Sequence, residues 1–149
     1  MKKKIALLAI IAVVMTTSIF ATPIEVNISS SVLTSFSSKF DGAKEVSWNR
    51  TDQYVRASFK INEQIMFAYF TETGSLIGVS RNLLSSQLPI NLQTELRKIS
   101  ANGWITELFE FADDSENSYF VSIETADQKI HLKSVGNNGW SVIKKSKKS

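Results

Sequence analysis

The sequence predicts an α+β fold built from two half-repeats, each a helix packed against a meander of antiparallel strands. Two observations lead to this prediction. First, a segment with helical periodicity followed by several segments with strand periodicity occurs twice along the chain. Second, residues 54–74 align with residues 119–139, which places tyrosine on tyrosine at the start and glycine on glycine at the end. We expect the half-repeats at about residues 30–87 and 88–143.

The two half-repeats are expected to share one domain over residues 22–143. A solenoid would need about three or more repeats to bury a continuous face, and only two are present. A chain of this size typically buries roughly two-thirds of its unfolded surface, which is enough for one core. The sequence contains no cysteine, so that core must hold the domain together without disulfides.

Residues 1–21 have the pattern of a secretory signal peptide. Three lysines precede the apolar residues 5–14, and the small residue Ala21 lies at the expected cleavage point. The apolar stretch is about ten residues long, whereas a membrane-spanning helix needs roughly 20. We therefore expect cleavage and a periplasmic or secreted product with no integral membrane segment. A lipid anchor is excluded, because a bacterial lipoprotein needs a cysteine at the cut.

The first half-repeat opens with a helix. Ser29, Ser30 and Ser31 offer N-cap hydroxyls, and Val32 and Phe36 begin an i, i+4, i+8 apolar stripe that ends at Asp41-Gly42. Four strands are predicted to follow, at residues 43–48, 54–59, 64–70 and 76–79. Both alternating sets of residues are apolar in the third of these, as expected of a central strand that is covered on both faces.

The second half-repeat also opens with a helix, because Leu88-Pro89 suits a first helical turn and Leu92, Leu96 and Ile99 share one face. Strands are then predicted at residues 104–111, 119–124, 129–135 and 140–143. The predicted core includes Ile65, Phe67, Leu96, Ile99 and Ile130.

Basic residues are concentrated at the C-terminus. Of 17 basic residues three belong to the signal peptide, against 14 acidic residues in the whole chain. Four more lysines lie in residues 144–149, which we expect to be a disordered basic tail behind a mildly acidic body. Nucleic acid is a poor candidate partner, because it requires a clustered positive face on the folded body.

Several motifs resemble those of the PepSY-like family, a group similar to β-lactamase-inhibitor proteins (BLIP) and common among small exported proteins of Bacteroidota. They are the helix end Phe40-Asp41-Gly42-Ala43, the strand Val46-Ser47-Trp48, a strand ending at Phe70 before Gly74, and Leu88-Pro89. The resemblance covers most of residues 30–145. It implies a two-repeat α+β fold and a non-enzymatic role in binding or inhibiting a protein of the cell envelope. It implies no catalytic residues and no particular target.

The residues themselves give little support to catalysis or metal binding. His131 is the only histidine, and between Ile130 and Leu132 its ring should point away from the apolar face of its strand, where we expect it to be exposed or to lie at a rim. No nucleophile-elbow motif accompanies it. With one histidine and no cysteine a zinc site is not expected, and no cofactor is predicted. Asp113, Asp114 and Glu116 are expected to form a solvated hairpin tip, although such oxygens would also suit calcium.

Aromatic residues provide the candidate binding site. Trp48 and Trp104 are expected in the core. Trp140 follows the glycine-bracketed turn that contains Asn137 and Asn138, and we predict that these three residues lie at a binding surface.

The sequence therefore predicts a non-catalytic, monomeric exported module that binds an envelope protein or peptide. Two alternatives stay open at this stage. One is a small hydrolase that uses carboxylates such as Asp113 or Asp114. The other is a protein that associates with an anionic envelope surface through its basic tail.

Overall fold

The structure is a computed structural model that describes residues 26–148, so the predicted signal peptide lies outside the described residues. Two helices are present, α1 at Ser30–Lys39 and α2 at Ile90–Ile99, with a short 3₁₀ turn at Ser85–Gln87 before α2. The strands are β1 Lys44–Arg50, β2 Val55–Ile61, β3 Gln64–Phe70, β4 Leu76–Asn82, β5 Trp104–Ala112, β6 Asn117–Glu124, β7 Gln128–Val135 and β8 Ser141–Lys147.

All eight strands belong to one antiparallel sheet, ordered as in the sequence. The prediction of an α+β fold with two helix-plus-meander half-repeats is therefore wrong, and the fold is mainly β. The decisive contact is the pairing of β4 with β5, from Val79↔Ala112 to Asn82↔Phe109, which makes the sheet continuous across the expected boundary. Periodicity identifies strands but does not reveal which strands hydrogen-bond to each other, so the sequence could not indicate this join.

Helix α1 forms where the sequence supplies a cap and an apolar stripe. The Ser29 side chain accepts a hydrogen bond from the Val32 amide at 3.5 Å, and Val32 and Phe36 are buried against β2 and β3. The Phe36 ring centroid lies 5.1 Å from those of Trp48 and Phe59, both edge-on. Aromatic edge-to-face packing thus anchors α1 on the first part of the sheet.

Helix α2 packs on the same face of the sheet, further along. Leu92 and Leu96 are buried, together with Leu88 just before the helix, against apolar side chains of β5, β6 and β7. The predicted helical stripe is thus present, but Ile99 and Ile65 were wrongly placed in the core, since both are exposed. Ile99 lies in the last turn of α2, and Ile65 lies on the sheet face that the helices do not cover.

The C-terminal lysines lie in a strand. Residues of β8 pair with β7 from Lys133↔Ser141 to Gln128↔Lys147, so the prediction of a disordered tail is wrong for residues 144–147. Its side chains are exposed along the whole strand. Lysines on an edge strand oppose pairing with further chains through charge repulsion, which explains a lysine-rich sequence with a regular backbone. No helix among residues 26–148 has the length and apolar character to cross a membrane.

Candidate functional site on the open sheet face

The candidate site is the sheet face opposite α1 and α2, called here the open face. Side chains alternate between the two faces of a strand, so the register pairs assign each residue to one side. On β2 and β3, Ala57 and Ala68 face the helices, whereas Ser58 and Phe67 face the other way. The open face carries Tyr54, Arg56, Phe67, Tyr69, Phe109, Phe111, Phe120, Ser122, His131 and Lys133.

The centre of the open face is an aromatic cluster. Tyr54, Tyr69, Phe111 and Phe120 are 3%, 1%, 2% and 0% exposed, although the side chains of α1 and α2 pack into other clusters. The rings cover each other. Tyr69 lies 5.4 Å from Tyr54 and 5.9 Å from Phe111 between centroids, and Phe120 stacks on Phe109 at 5.0 Å. The sheet therefore presents a dense aromatic layer with only its outer rings reaching the surface.

The absence of a side chain at Gly78 makes room for an aromatic ring of this layer. Gly78 lies on β4 between Tyr69 on β3 and the strand that carries Phe111, and a Cβ at Gly78 would come within 2.7 Å of Cε1 of Phe111. The Phe111 ring occupies the space that any other side chain would take. Beside it, the Tyr69 hydroxyl and Ser80 Oγ are 3.3 Å apart and hydrogen-bond. Burial raises the pKa of Tyr69, opposed by the Ser80 hydrogen bond and by the charge of Arg56.

Two cations flank the aromatic layer. The guanidinium of Arg56 lies over the Phe67 ring at 5.5 Å from its centroid, and the Lys133 ammonium lies over Phe120 at 5.4 Å. Nε of Arg56 is buried and has no hydrogen-bond partner within residues 26–148. A buried donor without an acceptor is costly, so this nitrogen lowers the stability of the folded domain.

A chain of hydrogen bonds joins three strands at one end of the open face. Ser122 Oγ on β6 donates to Oε2 of Glu107 on β5 at 2.7 Å and lies 2.8 Å from Nδ1 of His131 on β7. A serine hydroxyl has one proton, so with that proton on Glu107 it accepts from His131, which fixes the Nδ1–H tautomer. The serine links the carboxylate and the imidazole here rather than serving as a nucleophile activated by the histidine.

His131 does lie on the open face, as its alternation with Ile130 and Leu132 predicted, but the expectation that it is exposed is wrong. Its side chain is 9% exposed. Burial lowers the pKa of His131, the positive charges of Lys129 and Lys144 lower it further, and the Glu107 carboxylate opposes them. Lys144 is the β8 residue in register with His131, so a cationic edge borders the imidazole.

The predicted binding residues lie elsewhere, beside α2. Trp140 is partly buried. Its indole Nε1 donates to the Leu92 carbonyl at 3.0 Å and its amide donates to Oε2 of Glu95 at 3.2 Å. Asn137 and Asn138 are exposed, and the Asn137 carbonyl accepts from Asn91 at 2.8 Å. These contacts give Trp140 and its turn a docking role on α2. A role in ligand binding stays a prediction.

Other polar and aromatic candidates have structural roles. One carboxylate oxygen of Asp113 accepts from the Ser115 hydroxyl and amide and from the Glu116 amide, at 2.6, 2.8 and 3.0 Å. Burial alone would raise the pKa of Asp113, but these hydrogen bonds lower it. No group of three or more potential ligand residues within residues 26–148 is arranged to hold a metal ion.

Trp48 packs against α1, whereas Trp104 is 56% exposed beneath Lys148, so its predicted core position is wrong.

Comparison with known structures identifies the same fold. A DUF2874 family protein from Bacteroides ovatus aligns with a TM-score of 0.72 and 16% identity, over 82% of this chain and 89% of its own. A Bacteroides eggerthii protein, provisionally named periplasmic, aligns at 0.72 and 11%, over 82% and 90%. A BLIP-like protein from Bacteroides fragilis aligns at 0.68 and 13%, over 82% and 87%. No protein-family model matches, and no curated protein gives a significant match.

At these identities the likeness establishes the fold alone. The BLIP-like part of the predicted resemblance is supported at that level, and the PepSY-like part is not confirmed. The aromatic layer was missed as a site, although one signal for it was recognised. Both alternating sets of β3 are apolar, and the open-face set contains Phe67 and Tyr69. The sequence could indicate that this strand is covered on both sides, but not that one cover is the sheet's own aromatic side chains.

Proposed function

We propose that this protein is a non-catalytic exported module that binds a protein or peptide of the cell envelope through the open face. The observation that carries the proposal is the pairing of aromatic rings with cations, Arg56 over the partly exposed Phe67 and Lys133 over the buried Phe120. Aromatic and arginine side chains provide most of the binding energy in protein interfaces, at centres surrounded by residues that exclude water. The open face has this composition on a rigid sheet.

The charge of the open face indicates the kind of partner. Arg56, Lys133 and Lys144 lie on this face and form no ion pair within residues 26–148. Lys60 and Lys129 are compensated by Glu45 and Glu124. The Glu107 carboxylate lies on the same face and also forms no ion pair within residues 26–148, so these three cations leave a net positive charge. An acidic surface or segment of the partner would be complementary to this charge.

A periplasmic or secreted location is part of the proposal. It is supported by the signal-peptide pattern of residues 1–21 and by the provisional name of the Bacteroides eggerthii structure. The BLIP-like name of another structural neighbour agrees with a binding role rather than an enzymatic one.

Site-specific photocrosslinking in envelope preparations tests the proposal. A photoreactive amino acid replaces Ile65, which is 47% exposed at the margin of the open face, and in a matched variant it replaces Leu33, which is 43% exposed on α1. We expect a discrete adduct from position 65 that is absent at position 33. We also expect Arg56→Met and Lys133→Glu to abolish it. Equal adducts from both positions, or none from position 65, would contradict binding through this face.

A further inference from the structure

Strand β5 extends beyond the end of its partner β4, away from the aromatic layer. The last register pair of these strands is Asn82↔Phe109, followed only by the Leu83 amide donating to the Leu108 carbonyl at 2.9 Å. Strand β5 begins five residues earlier, at Trp104. Its first half therefore pairs with β6 on one side and has no strand on the other, because the chain leaves β4 for the 3₁₀ turn.

A groove follows this unpaired edge. It consists of two adjoining cavities of about 250 and 270 Å³ that share Ser85 and Ile105 among their lining residues. Ile105 and Leu108 belong to the helix face and Glu107 to the open face, yet all three line the groove. A cavity bordered by residues of both faces lies at the edge of the strand itself. An extended chain added beside β5 would occupy that position.

The groove has apolar walls and a charged side chain of opposite sign at each end. Leu84 and Ile105 are exposed large apolar side chains along it. Arg97, in the last turn of α2, lines the far cavity and has no acidic partner within residues 26–148. At the other end the Glu107 carboxylate accepts a hydrogen bond from the Ser122 hydroxyl and forms no ion pair within residues 26–148. A carboxylate of a bound segment would therefore be attracted to the Arg97 end of the groove and repelled from the Glu107 end.

We propose that this groove binds an extended segment of a partner protein, with one acidic residue at the Arg97 end, by strand addition along residues 104–108. The backbone of the segment would pair with the free edge of β5, an apolar side chain would lie between Leu84 and Ile105, and a carboxylate two or more residues away would pair with Arg97. The two adjoining cavities follow the unpaired edge of β5, so an extended segment fits them better than a compact ligand. The groove shares Glu107 with the open face but none of the cations Arg56, Lys133 and Lys144.

Binding of defined peptides to the mature chain tests the proposal. The probes are fluorescent heptapeptides of alternating valine and threonine in which one residue, placed at each position in turn, is aspartate. We expect saturable binding by at least one register, measured by anisotropy, and slowed hydrogen exchange at the amides of residues 105–107. The matching peptides with asparagine should bind more weakly by about fivefold or more, because they lack the carboxylate.

Matched variants separate the groove from general effects. Arg97→Glu should weaken binding about tenfold or more, whereas Lys98→Glu, which reverses a charge on the same helical turn outside the groove, should change it by less than about twofold. Leu84→Ser should weaken binding and Ile90→Ser should not, although both residues are highly exposed. Lys133→Glu on the open face should leave this binding unchanged. Failure of every peptide to bind, or equal effects of the paired variants, would overturn the proposal.

Discussion

The ring of Phe111 lies directly against Gly78, so that Cε1 of the ring would be 2.7 Å from a Cβ added to this glycine. The backbone oxygen of Ala112 would be 2.8 Å from the same atom. Real Cβ atoms do not approach heavy atoms this closely, and a β-sheet oxygen cannot move aside as a flexible side chain can. The central layer of the open face therefore depends on the absence of a side chain at one position of β4.

The first prediction concerns this contact. Gly78→Ala should lower the free energy of unfolding by about 2 kcal/mol, because inserting a methyl group into a packed layer typically costs about 1–3 kcal/mol. Denaturant unfolding measures the change. In a Phe111→Ala background the same substitution should cost less, because only the contact with the Ala112 oxygen remains. An unchanged stability of Gly78→Ala, or equal costs in both backgrounds, would show that the Phe111 ring contributes nothing to the clash at this position.

The second prediction concerns Ser122, which bridges Glu107 and His131. Ser122→Ala should lower the free energy of unfolding by about 1–3 kcal/mol, because it removes the hydroxyl partner of two side chains on neighbouring strands. Ser118→Ala is the matched control, as a buried serine on the same strand and face. It should cost less. Comparable losses in the two variants would mean that the bridge contributes nothing specific.

The third prediction is a pH dependence that arises from His131. Burial and the charges of Lys129 and Lys144, opposed by Glu107, lower the pKa of the folded-state imidazole below its usual 6.5. The unfolded chain then binds more protons at this site, so stability is complete above about pH 6.5 and falls as the pH drops through and below that value. His131→Gln should flatten this part of the profile in urea unfolding between pH 5 and 8. The pKa of Asp113 is also lowered and lies at a more acidic pH, so protonation of Asp113 changes the stability only below this pH range.

The fourth prediction separates stability from binding at Arg56. Its contact with Phe67 contributes about 0.5–1 kcal/mol, whereas its buried Nε without a partner costs about 1–3 kcal/mol. Arg56→Met keeps the apolar stem and removes both effects. The variant should be as stable as the wild type or more stable, and should still lose the open-face adduct. A loss of stability above about 1 kcal/mol would show that the guanidinium is satisfied within the domain.

Several elements could be predicted from the sequence because their determinants are local. The caps and stripes of α1 and α2 depend on residues within ten positions, and the apolar character of β3 is visible in its own seven residues. The face of the sheet to which a side chain points, by contrast, could not be predicted from local sequence. A register shift separates Tyr69 from Phe70 in the β3–β4 pair, and each such shift changes which residues face the helices. The open face is formed by pairings across seven strand contacts, and no local pattern encodes them.

The strand at the C-terminus gave the clearest local misreading. Lysine-rich sequence at a chain end usually indicates a solvated tail, and the alternation of Val142, Lys144 and Ser146 has no apolar face to reveal a strand. What holds β8 in place is backbone pairing with β7, together with the Lys148–Glu124 ion pair at 2.9 Å. Neither contact can be inferred from residues 144–148 alone.

The last prediction tests whether the backbone or the charge of β8 matters. Deleting residues 144–149 would leave the β7 backbone from Gln128 to His131 unpaired on one side and would remove Lys148 from Trp104. We expect a less stable protein that self-associates, because an exposed strand edge with apolar neighbours is a template for further pairing. Replacing Lys144, Lys145 and Lys147 with threonine keeps the strand, so it should retain most of the stability while lowering the positive charge. Thermal unfolding and sedimentation measure the two outcomes. If the deletion left both unchanged, residues 144–147 would behave as a tail, whereas equal loss in the two variants would mean that charge, not backbone pairing, secures this edge.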